Sequence, residues 1–303
     1  MHIRKLVKAG ESSHTVSLPK SWLQKHNLSK GDTVFITEQP DVLLISPQSG
    51  SRIKNEKSKE ISIANKDIAT IQREITGAYV NNYNTITLVG PIDKCAKEIR
   101  EVVHDFVALE ITEQTSKRIV AKNMLNIEEV SGEQTLRRMD MIVRSMFLDL
   151  KEMPKNIHKS LVVRDLDVNR LYFLMLRILK LALEDNAAAT AIGIDKKDIL
   201  TVWDMTTCLE NIADAMKNIS SLAVQEKKWF VEACTIVESS YLKAVKAYYT
   251  NNKELAHAIA QEREQNEKAI KPAQQQTGEA SQIFRSMLTL INDIARLVMD
   301  RDV

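Results

Sequence analysis

Only three cysteines, Cys95, Cys208 and Cys234, occur in the 303 residues, and none shares a Cys-x-x-Cys spacing with another. They offer neither a disulfide framework nor a zinc site, so a reducing cytoplasm is the expected location. Long apolar runs are missing as well. The most apolar stretch, Leu171 to Leu183, holds 13 residues and is interrupted by Arg177 and Lys180. A membrane span needs roughly 20 apolar residues, so this stretch reads as a buried helix of a bundle. Arg4, Lys5 and Lys8 break up any apolar leader, and neither a secretory signal nor membrane insertion is expected. Glycine is scarce after residue 130, where Gly132, Gly193 and Gly278 fall near apparent helix breaks. Also absent are a Gly-x-Gly-x-x-Gly loop, a Walker loop, a His-Glu-x-x-His pair and a nucleophile elbow. An enzyme is therefore not expected.

The charge that is present is unevenly spread. Residues 1–66 hold 11 Lys/Arg against 6 Asp/Glu, while the remaining 237 hold 31 against 34. Within residues 1–30, Arg4, Lys5, Lys8, Lys20, Lys25 and Lys30 face only Glu11. A basic end on a mildly acidic body fits an anion-binding head, and equally an ordinary basic surface.

Periodicity divides the chain into three. To about residue 48, alternation in His2–Val7, Thr15–Leu18, Val34–Ile36 and Val42–Ile45 predicts four short strands. Pro19 suits the first position of a short helix after the second of them. A polar stretch over 49–59 reads as a linker. Residues 60–125 predict βαβαββ, an open sheet with helices on one face, as a small-ligand sensor or a spacer. From 126 onward only helices are expected, over roughly 131–152, 164–190, 195–226, 228–250, 252–271 and 277–301. Two short patterns recur in order: Arg164–Asn169 in Gln261–Asn266, and Leu209–Asp214 in Leu288–Asp293. They predict two related three-helix units, about 131–226 and 227–303.

Four strands and one helical turn cannot bury a core alone. They leave Ile3, Val7, Val16, Leu18 and Val34 on an open face that a second copy would close, giving a homodimer. Two-fold symmetry then repeats Arg4, Lys5 and Lys8 on one surface. Lysines attract phosphates irrespective of sequence, and Arg4 can read a guanine edge. The run from Gly10 to Ile36, with Ser-Leu-Pro-Lys followed by Lys-Gly-Asp, resembles the AbrB/SpoVT swapped-hairpin domain. The resemblance implies a dimeric β-barrel, each chain supplying half, bound to double-stranded DNA. It carries over onto Arg4, Lys5 and Lys8 of the first strand, and His14 and Lys20 flanking the second. A head used only for dimerisation is the alternative. Trp22 is expected in the small core.

In the body, Glu210 and Asp214 are four apart on a helix, so both carboxylates share one face. Such a row is either a solvated acidic stripe or a set of oxygen ligands. The run from Cys208 to Ile219 resembles the Glu-x-x-x-Asp helix of PhoU proteins, regulators of phosphate transport and phosphate-responsive expression. The resemblance implies a body of two three-helix bundles and, with the AbrB-like head and α/β unit, a multidomain phosphate uptake regulator of archaeal type. It also implies a divalent or ferric metal, zinc or iron, at Glu210, Asp214, Asp165 and Asp293. This chain departs from the pattern: Asn169 and Asn266 stand where an aspartate is usual, and Thr289 precedes Asp293. One weak site or none follows. The reading is a DNA-binding regulator whose body senses phosphate status; the alternative is an interaction protein that docks on a phosphate transporter subunit or sensor.

Overall fold

The computed structural model describes residues 2–39, 42–47, 57–153, 156–222, 227–271 and 278–301. The chain divides into two compact units, Met1–Asn55 and Glu56–Val303.

In the first unit, β1 (Val7–Lys8) pairs antiparallel with β2 (His14–Thr15), in the register Val7 to Thr15 and Lys8 to His14. Gly10 has φ +101° in the connection, a conformation that glycine adopts without steric cost. Helix α1 (Lys20–Lys25) follows, and Pro19 is its cap instead of its first residue. The extended Pro19 (ψ 131°) aims its carbonyl at the amides of Trp22 and Leu23, at 3.0 and 3.1 Å. Trp22 is half-buried and lies against His26, ring centres 4.9 Å apart. After the Lys30-Gly31-Asp32 turn, β3 (Phe35–Gln39) pairs antiparallel with β4 (Val42–Ser46), Ile36 opposite Ile45. The strands expected over His2–Val7 and Thr15–Leu18 are thus only two residues long. The hairpins form two separate two-stranded sheets, and among the described residues of this unit no side chain is buried. Strands extend only as far as they find a partner, and one copy supplies too few.

The second unit opens with β5 (Ser58–Ser62), α2 (Ile68–Val80), β6 (Thr85–Val89), α3 (Ala96–His104), β7 (Leu109–Gln114) and β8 (Arg118–Asn123). Ser58 and Lys59, expected in a linker, belong to β5; most of that expected linker lies outside the described residues. The sheet order is β5-β6-β8-β7, with β5 and β6 parallel and the other pairs antiparallel. Alternation in β6 sends Ile86 and Leu88 inward, where they join Ile61 and Ile119. The stripe Ile71, Ile75 and Tyr79 of α2 and the pair Ile99 and Val103 of α3 cover that same face. Asp67 starts α2 by accepting the Thr70 amide at 2.7 Å.

Among the described residues seven α-helices follow: α4 (Gly132–Glu152), α5 (Ile157–Glu184), α6 (Asn186–Ile192), α7 (Ile199–Ser220), α8 (Lys227–Thr250), α9 (Lys253–Ala269) and α10 (Gly278–Met299). The helix expected over 164–190 begins earlier and breaks at Asp185, whose carboxylate accepts the Ala187 amide at 2.9 Å and starts α6. Gly193, at φ +74°, ends α6. Helices α4, α5 and α7 pack on one another, as do α8, α9 and α10, giving two trios. The trios share a single apolar core, because α10 also packs on α7 and α8 on α4. Phe147, Leu209, Tyr241 and Phe284 are completely buried there. Each such side chain contributes about 1.5–3 kcal/mol.

A buried polar knot ties the trios together. Tyr241 of α8 donates to Asp140 of α4 at 2.7 Å, and the Arg144 guanidinium donates to the same oxygen at 2.9 Å. The α/β segment is fastened to α5: Leu176 enters its core, and Phe173 lies 5.4 Å from Phe106. Arg177, only 4 % exposed, donates to the Tyr79 and Tyr83 carbonyls at the end of α2. Lys180 reaches Asn81 at 2.9 Å and Lys57 reaches Glu184 at 3.0 Å, completing the seam.

Candidate functional site

The head carries the first candidate surface. Arg4, Lys5, Lys8, His14 and Lys20 are all exposed. Register brings two of them together, since Lys8 lies directly opposite His14 across β1 and β2. Arg4 and Lys5 stand just before β1, and Lys20 opens α1 beyond the second strand. Between the cations lie apolar residues equally open to solvent: Ile3 is 79 % exposed, Leu6 71 % and Val7 60 %. Ile36 and Leu43 of the second hairpin are each 62 % exposed. Most apolar residues on a folded surface are scattered; here they recur along the first segment and in β1, β3 and β4 of a unit in which no described residue is buried. The exposed apolar residues suit contact with a second copy, and the exposed cations suit an anion.

The second candidate lies on α5 and α7. The 3.6-residue repeat stacks Glu210, Asp214, Lys217 and Asn218 along one face of α7. Asp165 of α5 faces them. Lys217 Nζ sits 2.9 Å from Asp165 Oδ2 and 2.5 Å from Asp214 Oδ1, bridging the helices. The amides of Asn169 and Asn218 donate to Asp165 Oδ2 and Asp214 Oδ2, at 3.3 and 3.0 Å. Burial pushes the Asp165 carboxyl above the usual range, more than the Lys217 ammonium lowers it. Burial likewise raises Glu210, helped by the charges of Asp214 and Asp165. Burial disfavours the Lys217 ammonium, yet its bonds to Asp214 and Asp165 outweigh this and raise its pKa. The partners differ because Asp165 is almost enclosed, its side chain 6 % exposed against 25 % for Lys217.

Of the four expected ligands, the structure gathers Asp165, Glu210 and Asp214. Asp293 pairs with Arg296 on its own helix at 3.4 Å, and among the described residues no hydrogen bond or ion pair links it to the other three. The donor set does not fit a resident metal. The ammonium stands between two of the carboxylates, and the neighbouring amides point N–H groups at the oxygens that would ligate. Among the described residues, no three His, Cys, Asp or Glu side chains are placed to hold an ion. The second trio repeats the chemistry loosely: Lys243 pairs with Glu262 at 2.7 Å, and Asn266 donates to Ser240 at 3.1 Å. Sequence reasoning passed over Lys217, although a lysine three residues after Asp214 falls on the same helix face.

Among the described residues no helix is long and apolar enough to cross a membrane. No curated protein and no solved structure matches the chain. A family model described as antidote-toxin recognition MazE, bacterial antitoxin, matches residues 7–52. That likeness supports an AbrB-like head, and with it a DNA-binding or antitoxin-like regulatory role.

Proposed function

We propose that the chain is a transcriptional regulator of phosphate uptake, in which a PhoU-like body senses phosphate status and governs the DNA affinity of a dimeric AbrB-like head. The observation that carries the reading is the head itself. Exposed cations Arg4, Lys5 and Lys8 are interspersed with exposed Ile3, Leu6 and Val7 in a unit of which no described residue is buried. Two copies closing the apolar faces would double the cationic surface and align it along duplex DNA. The two helical trios, related by recurring patterns, support the PhoU-like reading of the body. A change in how the trios pack would alter DNA affinity by shifting populations. The proposal assigns the chain no catalytic role.

Fluorescence anisotropy with duplex DNA tests it. Binding should weaken steeply as salt rises, because phosphate contacts release counterions. No salt-dependent binding at any concentration would remove the DNA-binding reading.

A second reading, docking on a phosphate transporter subunit with the head used only to dimerise, draws on the outer face of α4. Met141 and Leu148, two turns apart, are 63 % and 51 % exposed there. Capture of a transporter subunit by the full chain, together with no DNA affinity, would select it.

A further inference from the structure

We infer that Lys217 is the built-in cation of the α5–α7 carboxylate cluster, so that Asp165 and Asp214 hold a covalently attached ammonium and not a divalent or ferric ion. The geometry carries this. Lys217 Nζ lies within 2.9 Å of Asp165 Oδ2 and 2.5 Å of Asp214 Oδ1, the position between two helices that a bridging metal would occupy. Asp165 Oδ2 already accepts from Lys217 and Asn169, and Asp214 uses one oxygen for Lys217 and the other for Asn218. A metal needs lone pairs from several such oxygens at about 2.0–2.6 Å. To supply them, the cluster would have to expel its own ammonium and turn both amides away.

A tethered lysine cannot dissociate, so α5 and α7 stay bridged whatever the metal supply. A response of the body to its signal then arises elsewhere than in metal exchange at this cluster. The same logic makes the lysine a plug: with its charge removed, Asp165 and Asp214 lose the ammonium that fixes their orientation and, with Glu210, are free to turn towards an incoming cation, which their mutual repulsion favours.

The test uses the full chain, freed of metal by dialysis against chelator and titrated with zinc or manganese by calorimetry, with bound metal measured after desalting. The native chain should bind no ion that Asp165→Asn abolishes. Lys217→Met should gain about one equivalent of metal, at least tenfold tighter than any native binding, and Lys217→Met with Asp214→Asn should lose it. A native chain that takes up stoichiometric metal, lost in Asp165→Asn, overturns the inference. So does a folded Lys217→Met that gains none. Circular dichroism checks that the variants fold. If Lys217→Met does not, the native chain against Asp165→Asn decides: metal binding unchanged or absent supports the inference, and binding lost overturns it. None of these outcomes depends on whether the head binds DNA.

Discussion

Arg177 on α5 donates to the carbonyl of Tyr79 at the end of α2, and its guanidinium carbon lies 4.8 Å from the centre of the Tyr79 ring. The charge is buried, and among the described residues no carboxylate pairs with it. Its partners are the carbonyls of Tyr79 and Tyr83 at the negative end of the α2 dipole, which favours a cation there. Arg177→Met should therefore cost about 1.5–3 kcal/mol, the range for hydrogen bonds to charged groups. Urea denaturation measures the loss, and hydrogen exchange should show the amides at the end of α2 losing protection first. Arg177→Lys should recover only part, because lysine lacks the planar fork that reaches two carbonyls.

The head offers variants that separate dimerisation from DNA contact. Ile36→Asp puts a charge on the exposed apolar face of β3 and should reduce the sedimenting mass to that of a monomer, with loss of DNA binding. Lys5→Ala and Lys8→Ala should leave the mass unchanged. Each should weaken DNA binding across sequences and lower the salt slope by about 1.

Stability should depend on pH through Glu210, whose carboxyl is raised above the usual range by burial and by the charges of Asp214 and Asp165. A raised carboxylate pKa means that the folded chain binds its proton more tightly than the unfolded chain. The ionised form at neutral pH is then a liability, relieved as pH falls through the folded value towards the ordinary one of about 4.3. Glu210→Gln should stabilise the protein at pH 7, by less than about 1 kcal/mol because solvent screens this half-buried group. The gain should shrink on acidification and vanish below pH 4. Thermal unfolding of both proteins from pH 4 to 8 gives the comparison.

Tyr241→Phe removes the hydroxyl that donates to buried Asp140 at 2.7 Å, where Asp140 is 5 % exposed. Arg144 stays, but the carboxylate loses one of two donors and the tie between the trios. A loss of about 1.5–3 kcal/mol is expected in chemical denaturation.

Much of this architecture is legible along the chain. Ile86 and Leu88 alternate in β6, and Leu136, Met139, Val143, Met146 and Leu150 recur at helical spacing in α4, so their inward faces follow from local period alone. Glu210 and Asp214 share a face for the same reason. The short strands of the head are less legible, since Ile3 and Val7, four apart on one face of an extended segment, are 79 % and 60 % exposed within one copy. The break at Asp185 was hidden because a carboxylate that accepts the Ala187 amide looks like any exposed aspartate. Asn169 reads as a weakened ligand until its amide is seen donating to Asp165.

Local pattern by itself determined the strand and helix order apart from the break at Asp185, the basic balance of the first 30 residues and the two carboxylates of α7, since each depends on residues a few positions apart. Tertiary structure decided what those groups face. Asp165 and Lys217 are 52 positions apart, Tyr79 and Arg177 are 98, and Asp140 and Tyr241 are 101. Whether a carboxylate meets a metal or a lysine, and whether an arginine lies in solvent or caps a distant helix, depends on how segments fold over one another. No periodicity records it, because packing joins residues by proximity in space and the chain orders them only by connection.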